Sequence, residues 1–234
     1  MTRQKRYSLA HSPDADDIFM YYALKFGWVE DEQIKFDNCS FDIQTLNEKA
    51  LKSCFDITAI SFSLYPYIKD NQALLKTAVS FGEGYGPKLI KKKGTKLTKN
   101  FKVALSGKHT TNALLFKIFY PKAKIIYKNF LEIERAVLNG EADAGVLIHE
   151  SILDFDDSLE VEVELWDIWG ELNKENLPLP LGGMAISRSI PLLDAIKCEK
   201  LLTNAVNIAN KNKKMLSKML IERDLIRVDE SKLE

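Results

Sequence analysis

The sequence is poor in cysteine and histidine and carries no net charge. Its three cysteines, Cys39, Cys54 and Cys198, stand far apart, and no CxxC or Cys/His ligand spacing joins them. That excludes a disulfide scaffold and a structural zinc site, and it fits a reducing compartment. Lysine plus arginine number 33 and aspartate plus glutamate 33. A nucleic acid partner is therefore not expected, because neutralising a phosphate backbone takes a basic excess. No apolar run approaches the ~18 residues of a membrane-crossing helix, so no membrane insertion is expected. The basic start, Met1 to Arg6, runs into His11, Asp14, Asp16 and Asp17 rather than an apolar stretch. This argues against a secretory leader and for a cytoplasmic protein.

What remains is an ordinary globular composition, 46% apolar and 28% charged over 234 residues. One grammar recurs: a short apolar run, a polar turn, then a helical pattern. Tyr7 to Ala10 is followed by Ser12-Pro13 and an apolar helix face at Ile18, Phe19, Tyr22, Ala23 and Phe26. Phe55 to Ile60 precedes a helical Leu64-to-Ile68 segment. Lys102 to Leu105 leads through Ser106-Gly107-Lys108-His109-Thr110-Thr111 into Leu114, Leu115, Ile118 and Phe119. Ala144 to Ile148 ends on His149-Glu150-Ser151. Phe36–Phe41 and Lys124–Tyr127 add two strands, each before a helix, Thr45–Ser53 and Leu131–Asn139. The order β-α-β-α-β thus occurs twice, which predicts an α/β fold with mostly parallel strands.

Two segments read as crossings between the halves. One is Phe81 to Gly94, with glycine at 82, 84 and 86; the other is Leu177 to Ile186. They predict two lobes, residues 1–95 plus 184–234 and residues 96–183. Residues 194–223 read as helix, with Lys211, Lys213 and Lys214 on a solvated face.

Several constellations invite chemistry. The 82–86 glycines match neither phosphate-loop pattern, so a hinge is the better reading. Asp14, Asp16 and Asp17 suit helix capping better than a metal site. No metal is expected. Gly107 to Thr111 joins a strand end to a helix start, where free N–H groups suit a ligand oxygen; a simple cap by Thr110 or Thr111 is the competing reading. All three histidines, His11, His109 and His149, fall at strand ends. His149 is delivered by Val146-Leu147-Ile148, and an imidazole there suits a general base. No G-x-S-x-G elbow supports a serine nucleophile.

Four stretches, in order, resemble one family. They are Ser12 to Leu24, Gly107 to Thr111, Ile148 to Ser151 and Leu177 to Gly182. Together they resemble the menaquinone-biosynthesis group of the futalosine pathway, over about residues 7 to 190. The motifs are nearer its naphthoate-synthase branch than its chorismate dehydratase branch. The resemblance implies a two-lobed fold like type II periplasmic binding proteins, with the ligand cleft between lobes. It implies a carbon–carbon lyase that converts cyclic dehypoxanthinylfutalosine to 1,4-dihydroxy-6-naphthoate and a dihydroxyacetone-type fragment. No cofactor is implied, only a small-molecule substrate. The position matching the family's proton acceptor is His149. Thr110 and Thr111 match its substrate-binding pair, and Thr58-Ala59-Ile60 matches another binding segment, with Ser61 beside it able to supply a hydroxyl. Asp14 and Asp16 depart from the family's usual Cys and Asn, so no role carries over to them. Residues 223–234 do not align. Chorismate dehydratase and a non-catalytic solute-binding protein are the alternatives.

Overall fold

The computed structural model of the chain describes residues 4–175 and 177–223, without the side chains of Ala15, Asp16, Phe19, Met20 and Glu150. The expectations on Met1 to Arg3, on the Asp16 side chain and on residues 224–234 lie outside the described residues. The chain divides into two compact units. The first comprises Met1–Ile60, Tyr65–Val79 and Gly183–Glu234; the second comprises Ser61–Leu64 and Ser80–Gly182.

The first unit opens with β1 (Lys5–His11), α1 (Ala15–Lys25), β2 (Ile34–Ser40), α2 (Ile43–Leu51) and β3 (Ile57–Ser61). β1 pairs in parallel with β2 over its whole length, from Lys5 opposite Ile34 to His11 opposite Ser40. It pairs in parallel with β3 on the other side. Parallel neighbours need a crossover, and α1 and α2 supply the two required here. Asp42 starts α2 by accepting a hydrogen bond from the Thr45 N–H at 3.1 Å. The cap is therefore an aspartate upstream of the expected Thr45 start. α3 (Tyr65–Ile68) and β4 (Gln72–Leu74) complete the first passage through this unit.

The second unit holds β5 (Ser80–Gly82), β6 (Lys88–Lys92), β7 (Lys102–Leu105), α4 (Thr111–Phe119), β8 (Lys124–Tyr127), α5 (Ile133–Leu138), β9 (Ala144–Leu147), β10 (Leu159–Glu164) and α6 (Leu165–Leu172). Its sheet runs β10-β6-β9-β7-β8. The expected β-α-β-α-β motif is β7-α4-β8-α5-β9, with β7 parallel to both β8 and β9. β6 is antiparallel to β10 and to β9. The sequence predicts a crossing over Phe81–Gly94 and a first lobe boundary at 95. Lys88–Lys92 is instead paired on both sides inside the second sheet, so the boundary falls at 79.

β11 (Leu179–Ser187) then carries the chain back. Its Leu179–Gly182 part pairs with β5 in the second unit. Its Ala185–Ser187 part pairs with β4, closing the first sheet in the order β2-β1-β3-β11-β4. The single helix expected over 194–223 is two: α7 (Leu192–Lys211) and α8 (Lys213–Glu222), broken at Asn212. Its side chain donates back to the Ile208 carbonyl at 2.9 Å. That ties off the end of α7 in place of a continuing turn.

Each unit has its own apolar core. In the first, Leu9, Ile57, Leu46, Met184 and Leu202 are buried together, and Ile18, Leu216 and Leu220 form a smaller cluster between α1 and α8. In the second, Val103, Leu105, Phe116, Ile133, Val137 and Val146 form the core. α5 lies tight on β9 at Gly145. A Cβ built there would meet Ile133 Cγ2 at 2.5 Å and Val137 Cγ2 at 3.0 Å. Only glycine admits that approach, and it fixes the strand that leads to His149.

Candidate functional site

His149 follows β9, whose four residues are all buried. A strand in the middle of a sheet is held on both sides, so what leaves its end is well positioned. His149 has φ +54°, in the left-handed region that a side chain normally avoids. Such a residue costs on the order of 1–3 kcal/mol and persists where its surroundings enforce it. Here it turns the chain out of the strand into a short 3₁₀ turn over His149–Ile152. The imidazole packs edge-on against Phe130, with centroids 5.4 Å apart and planes at 77°. Phe130 is itself nearly buried at the start of a turn capped by Asn129, which accepts from the Leu131 N–H at 3.1 Å.

The Ser106–Thr111 loop leaves the end of β7. Because β7 and β9 are parallel neighbours, this loop and His149 lie on one rim of the second sheet. Open α/β sheets bind ligands at the carboxyl ends of their strands. Thr110 is the cap of α4: its hydroxyl accepts from the Ala113 N–H at 3.2 Å and donates to the Gly107 carbonyl at 3.0 Å. Thr111 donates to the Leu181 carbonyl at 2.9 Å and accepts from the Ser63 N–H at 3.4 Å. Ser63 in turn donates its hydroxyl to the His109 carbonyl at 2.7 Å. Both threonine hydroxyl hydrogens are thus given to the backbone. What each retains toward a ligand is acceptor capacity, while donation at this helix start falls to the first N–H groups of α4. The Ser106 hydroxyl is buried and has no partner among the described residues.

The first unit carries the other expected contacts. Thr58, Ala59 and Ile60 are buried on β3, and Thr58 donates to the Ala59 carbonyl at 3.2 Å. Ser61, also buried, ends that strand and is counted with the second unit. The opening turn of the first unit differs from expectation. Asp14 holds the N-cap position of α1, but its side chain makes no capping hydrogen bond. It accepts from the Ser12 hydroxyl at 2.6 Å, and Asp17 accepts from the Ser12 N–H at 2.8 Å. The carboxylates therefore fold the turn rather than cap the helix. Among the described residues, no group of three or more His, Cys, Asp or Glu side chains is placed to hold a metal. No helix among them is long and apolar enough to cross a membrane.

Sequence reasoning missed Ser63 and Phe130. Ser63 reaches the Thr111 loop from a segment 48 residues away, and nothing in its own neighbourhood signals that. Phe130 reads in the sequence as one more apolar position before a helix.

The chain is similar to proteins of known name. It is 30% identical over 182 residues to the 1,4-dihydroxy-6-naphtoate synthase of Thermus thermophilus, covering 78% of this chain and 66% of the relative. It is 29% identical over 189 residues to the synthase of the same name from Streptomyces coelicolor, with the same two coverages. The chain thus spans just under two thirds of the length of these relatives. Among solved structures, an Archaeoglobus fulgidus protein superimposes with a TM-score of 0.88 at 31% identity, over 97% of this chain and 85% of that one. The alkanesulfonate-binding protein of Xanthomonas axonopodis pv. citri, solved with MOPS bound, gives a TM-score of 0.68 at 12% identity, over 97% and 82%. That likeness shows a fold of the periplasmic binding-protein type. The family model described as menaquinone biosynthesis matches residues 7–234, past the expected end near 190 and through the 223–234 stretch expected not to align, and the chain belongs to that family.

Proposed function

We propose that the chain is a carbon–carbon lyase of menaquinone biosynthesis that forms 1,4-dihydroxy-6-naphthoate from cyclic dehypoxanthinylfutalosine. One observation carries the reading: an imidazole, His149, stands on the same strand rim as the Thr110–Thr111 helix start, in a chain whose family match spans both. His149 takes an acidic proton from the bicyclic substrate. The electron pair left behind breaks the carbon–carbon bond to the sugar-derived carbons; these leave as a dihydroxyacetone-type fragment that takes the proton back from the His149 imidazolium, and the rings become aromatic. Aromatisation supplies the driving force, so the protein contributes one placed base, orientation and shelter from water. Phe130 holds the imidazole plane.

Thr58, Ala59, Ile60, Ser61, Thr110 and Thr111 form the substrate-binding set in this reading. Thr110 acts by shaping the loop as the cap of α4 and Thr111 by accepting from a substrate hydroxyl, while the backbone N–H groups of that helix start donate to substrate oxygens. No step calls for a metal or an organic cofactor, and the protein works in the cytoplasm.

The test is turnover. The purified chain is mixed with cyclic dehypoxanthinylfutalosine after exhaustive chelation, and naphthoate is followed by absorbance and mass. Release of product supports the reading. Turnover of chorismate in its place, or tight binding of the futalosine compound without turnover, would overturn it in favour of the dehydratase or of a non-catalytic binding protein.

A further inference from the structure

Two phenylalanines of the second unit stack beside the α4 start, and the reaction above gives them no part. The rings of Phe62 and Phe81 have centroids 5.6 Å apart and planes at 30°. Phe62 lies in the Ser61–Leu64 segment and Phe81 in β5, both within the second unit. Phe62 takes one face of the Phe81 ring, yet Phe81 is still 44% exposed, and Tyr85 after it is 55% exposed.

The pair is anchored through the groups that Thr111 bonds. Ser63, the residue after Phe62, donates its backbone N–H to the Thr111 hydroxyl at 3.4 Å and its own hydroxyl to the His109 carbonyl at 2.7 Å. Phe81 stands opposite Pro180 where β5 pairs with β11. The carbonyl of the next residue, Leu181, accepts from Thr111 at 2.9 Å. The segment that carries Phe81 also crosses the rim of His149. It runs into β6, where Lys88 pairs with Leu147 at the end of β9. That pairing is antiparallel, so the residues before Lys88 run past the end of β9, where His149 follows. The turn behind Phe81 is tight: a Cβ on Gly82 would meet the Tyr85 carbonyl oxygen at 2.4 Å, and Gly84 takes φ +73°. The ring is thus held in place before any ligand arrives.

An exposed apolar patch rimmed by polar groups marks a ligand surface. A flat ring suits this one best, because aromatic rings gain from offset stacking beyond the area they bury. We propose that the Phe62–Phe81 stack is the ledge on which the second unit seats the ring of an aromatic acid, Phe81 touching the ligand and Phe62 backing it. The ligand class comes from the lyase reading above, on which the inference rests. Within that reading Phe81 sets specificity, selecting planar rings over saturated ones.

The full chain, Phe81→Leu, Phe81→Tyr and Phe62→Leu are titrated with naphthalene-2-carboxylate and with its saturated counterpart, decahydronaphthalene-2-carboxylate. Both probes carry one carboxylate on the same carbon frame, so the ratio of their affinities reads the ring. Melting curves and steady-state kinetics with cyclic dehypoxanthinylfutalosine accompany each titration. The parent should favour the naphthalene acid by about 2- to 12-fold, the range of one aromatic pair. Phe81→Leu should abolish that preference, Phe81→Tyr should keep it, and Phe62→Leu should fall between. Phe81→Leu should melt near the parent temperature. Its KM should rise by a factor of similar size with kcat near the parent, since the ledge holds substrate and transition state alike. An equal loss of both acids in Phe81→Leu, with the ratio intact, would make Phe81 a structural residue and overturn the proposal. A parent that binds neither acid or shows no preference would also overturn it, as would a preference lost in Phe81→Tyr. The two readings fail apart. A parent that turns over substrate, with Phe81→Leu keeping both KM and ring preference, sinks the ledge alone. A ring preference that depends on Phe81 in a chain without turnover sinks the lyase and leaves the ledge.

Discussion

Thr111 gives its hydroxyl hydrogen to the Leu181 carbonyl, 70 residues further along the chain. The next residue back, Thr110, gives its own to Gly107 and caps α4. Adjacent threonines of one motif therefore do two different jobs, one local and one tertiary. Thr110→Val should lower stability by about 0.5–2 kcal/mol through loss of the cap, with little change in KM. Thr111→Val leaves the Leu181 carbonyl and the Ser63 N–H short of a partner at the rim itself. It should reduce kcat/KM by about 5- to 150-fold, and Thr111→Ser should restore most of it. Melting curves beside steady-state kinetics separate the two. Equal kinetic loss in both variants would mean that the division of labour is wrong.

His149→Asn should remove about 10²- to 10⁴-fold of turnover while leaving the fold intact. Asparagine is the substitution of choice because it tolerates the left-handed backbone that φ +54° imposes. His149→Val, β-branched, should by contrast also lose stability. Circular dichroism with single-turnover kinetics checks both. Parental kcat in His149→Asn would remove this residue from the role of base.

Gly145→Ala should destabilise the second unit by about 1–3 kcal/mol, because the new methyl meets Ile133 and Val137 where the core is already closed. If β9 shifts to relieve that contact, His149 shifts with it, and kcat falls further than the loss of stability explains. Pairing the change with Ile133→Ala, which removes the Cγ2 carbon that the new methyl meets, should recover part of the further loss in kcat. A variant as stable and as active as the parent would show that α5 can move freely away from β9.

The rim was legible in the sequence because its chemistry sits at the ends of short apolar runs. His149 after Val146-Leu147-Ile148 and Thr110-Thr111 after Val103-Ala104-Leu105 announce strand ends without any structure. β6 was not legible. Its Lys88-Leu89-Ile90-Lys91-Lys92 has three lysines in five positions, and what makes it a strand is pairing with residues 144–147 on one side and 159–164 on the other. Lys91 is neutralised there by Glu160 and Glu162 of β10, a cross-strand match that no local pattern reveals. Asp14 misled in the opposite way. It occupies a cap position, yet a nearer hydroxyl, that of Ser12, takes its oxygen. Local propensity lists what a side chain can bond to, and tertiary folding decides which partner is closest.

Cys198 and Cys54 should report separately on the folded state of the first unit. Cys54 is exposed, and Cys198 is fully buried on the core-facing side of α7. Burial, with the Asp194 and Asp56 carboxylates adding to it, pushes the Cys198 thiol up to about 12. The thiolate is the reactive form, so Cys198 should resist iodoacetamide at pH 8 while Cys54 reacts. Denaturant should return Cys198 to the ordinary range and expose it, so its alkylation should track unfolding of this unit.

Acid should act on the first unit through Asp194. Its carboxylate accepts from the Lys5 ammonium and from the Tyr7 hydroxyl, the latter at 2.8 Å. These bonds, the lysine first, hold the carboxyl below its ordinary range. A carboxyl depressed in the folded state binds fewer protons there than in the unfolded chain. Stability from it is fully present above the unfolded pKa, about 3.9, and is lost as the pH falls through the lower folded value. Asp194→Asn should therefore be less stable than the parent at pH 7. That gap should narrow as the pH drops below about 4 and close once the parental carboxyl is protonated. Urea titrations at steps between pH 7 and pH 2.5 would trace it. A difference that stays constant across this range would mean that the substitution acts through packing against Tyr7 rather than through the charge of Asp194.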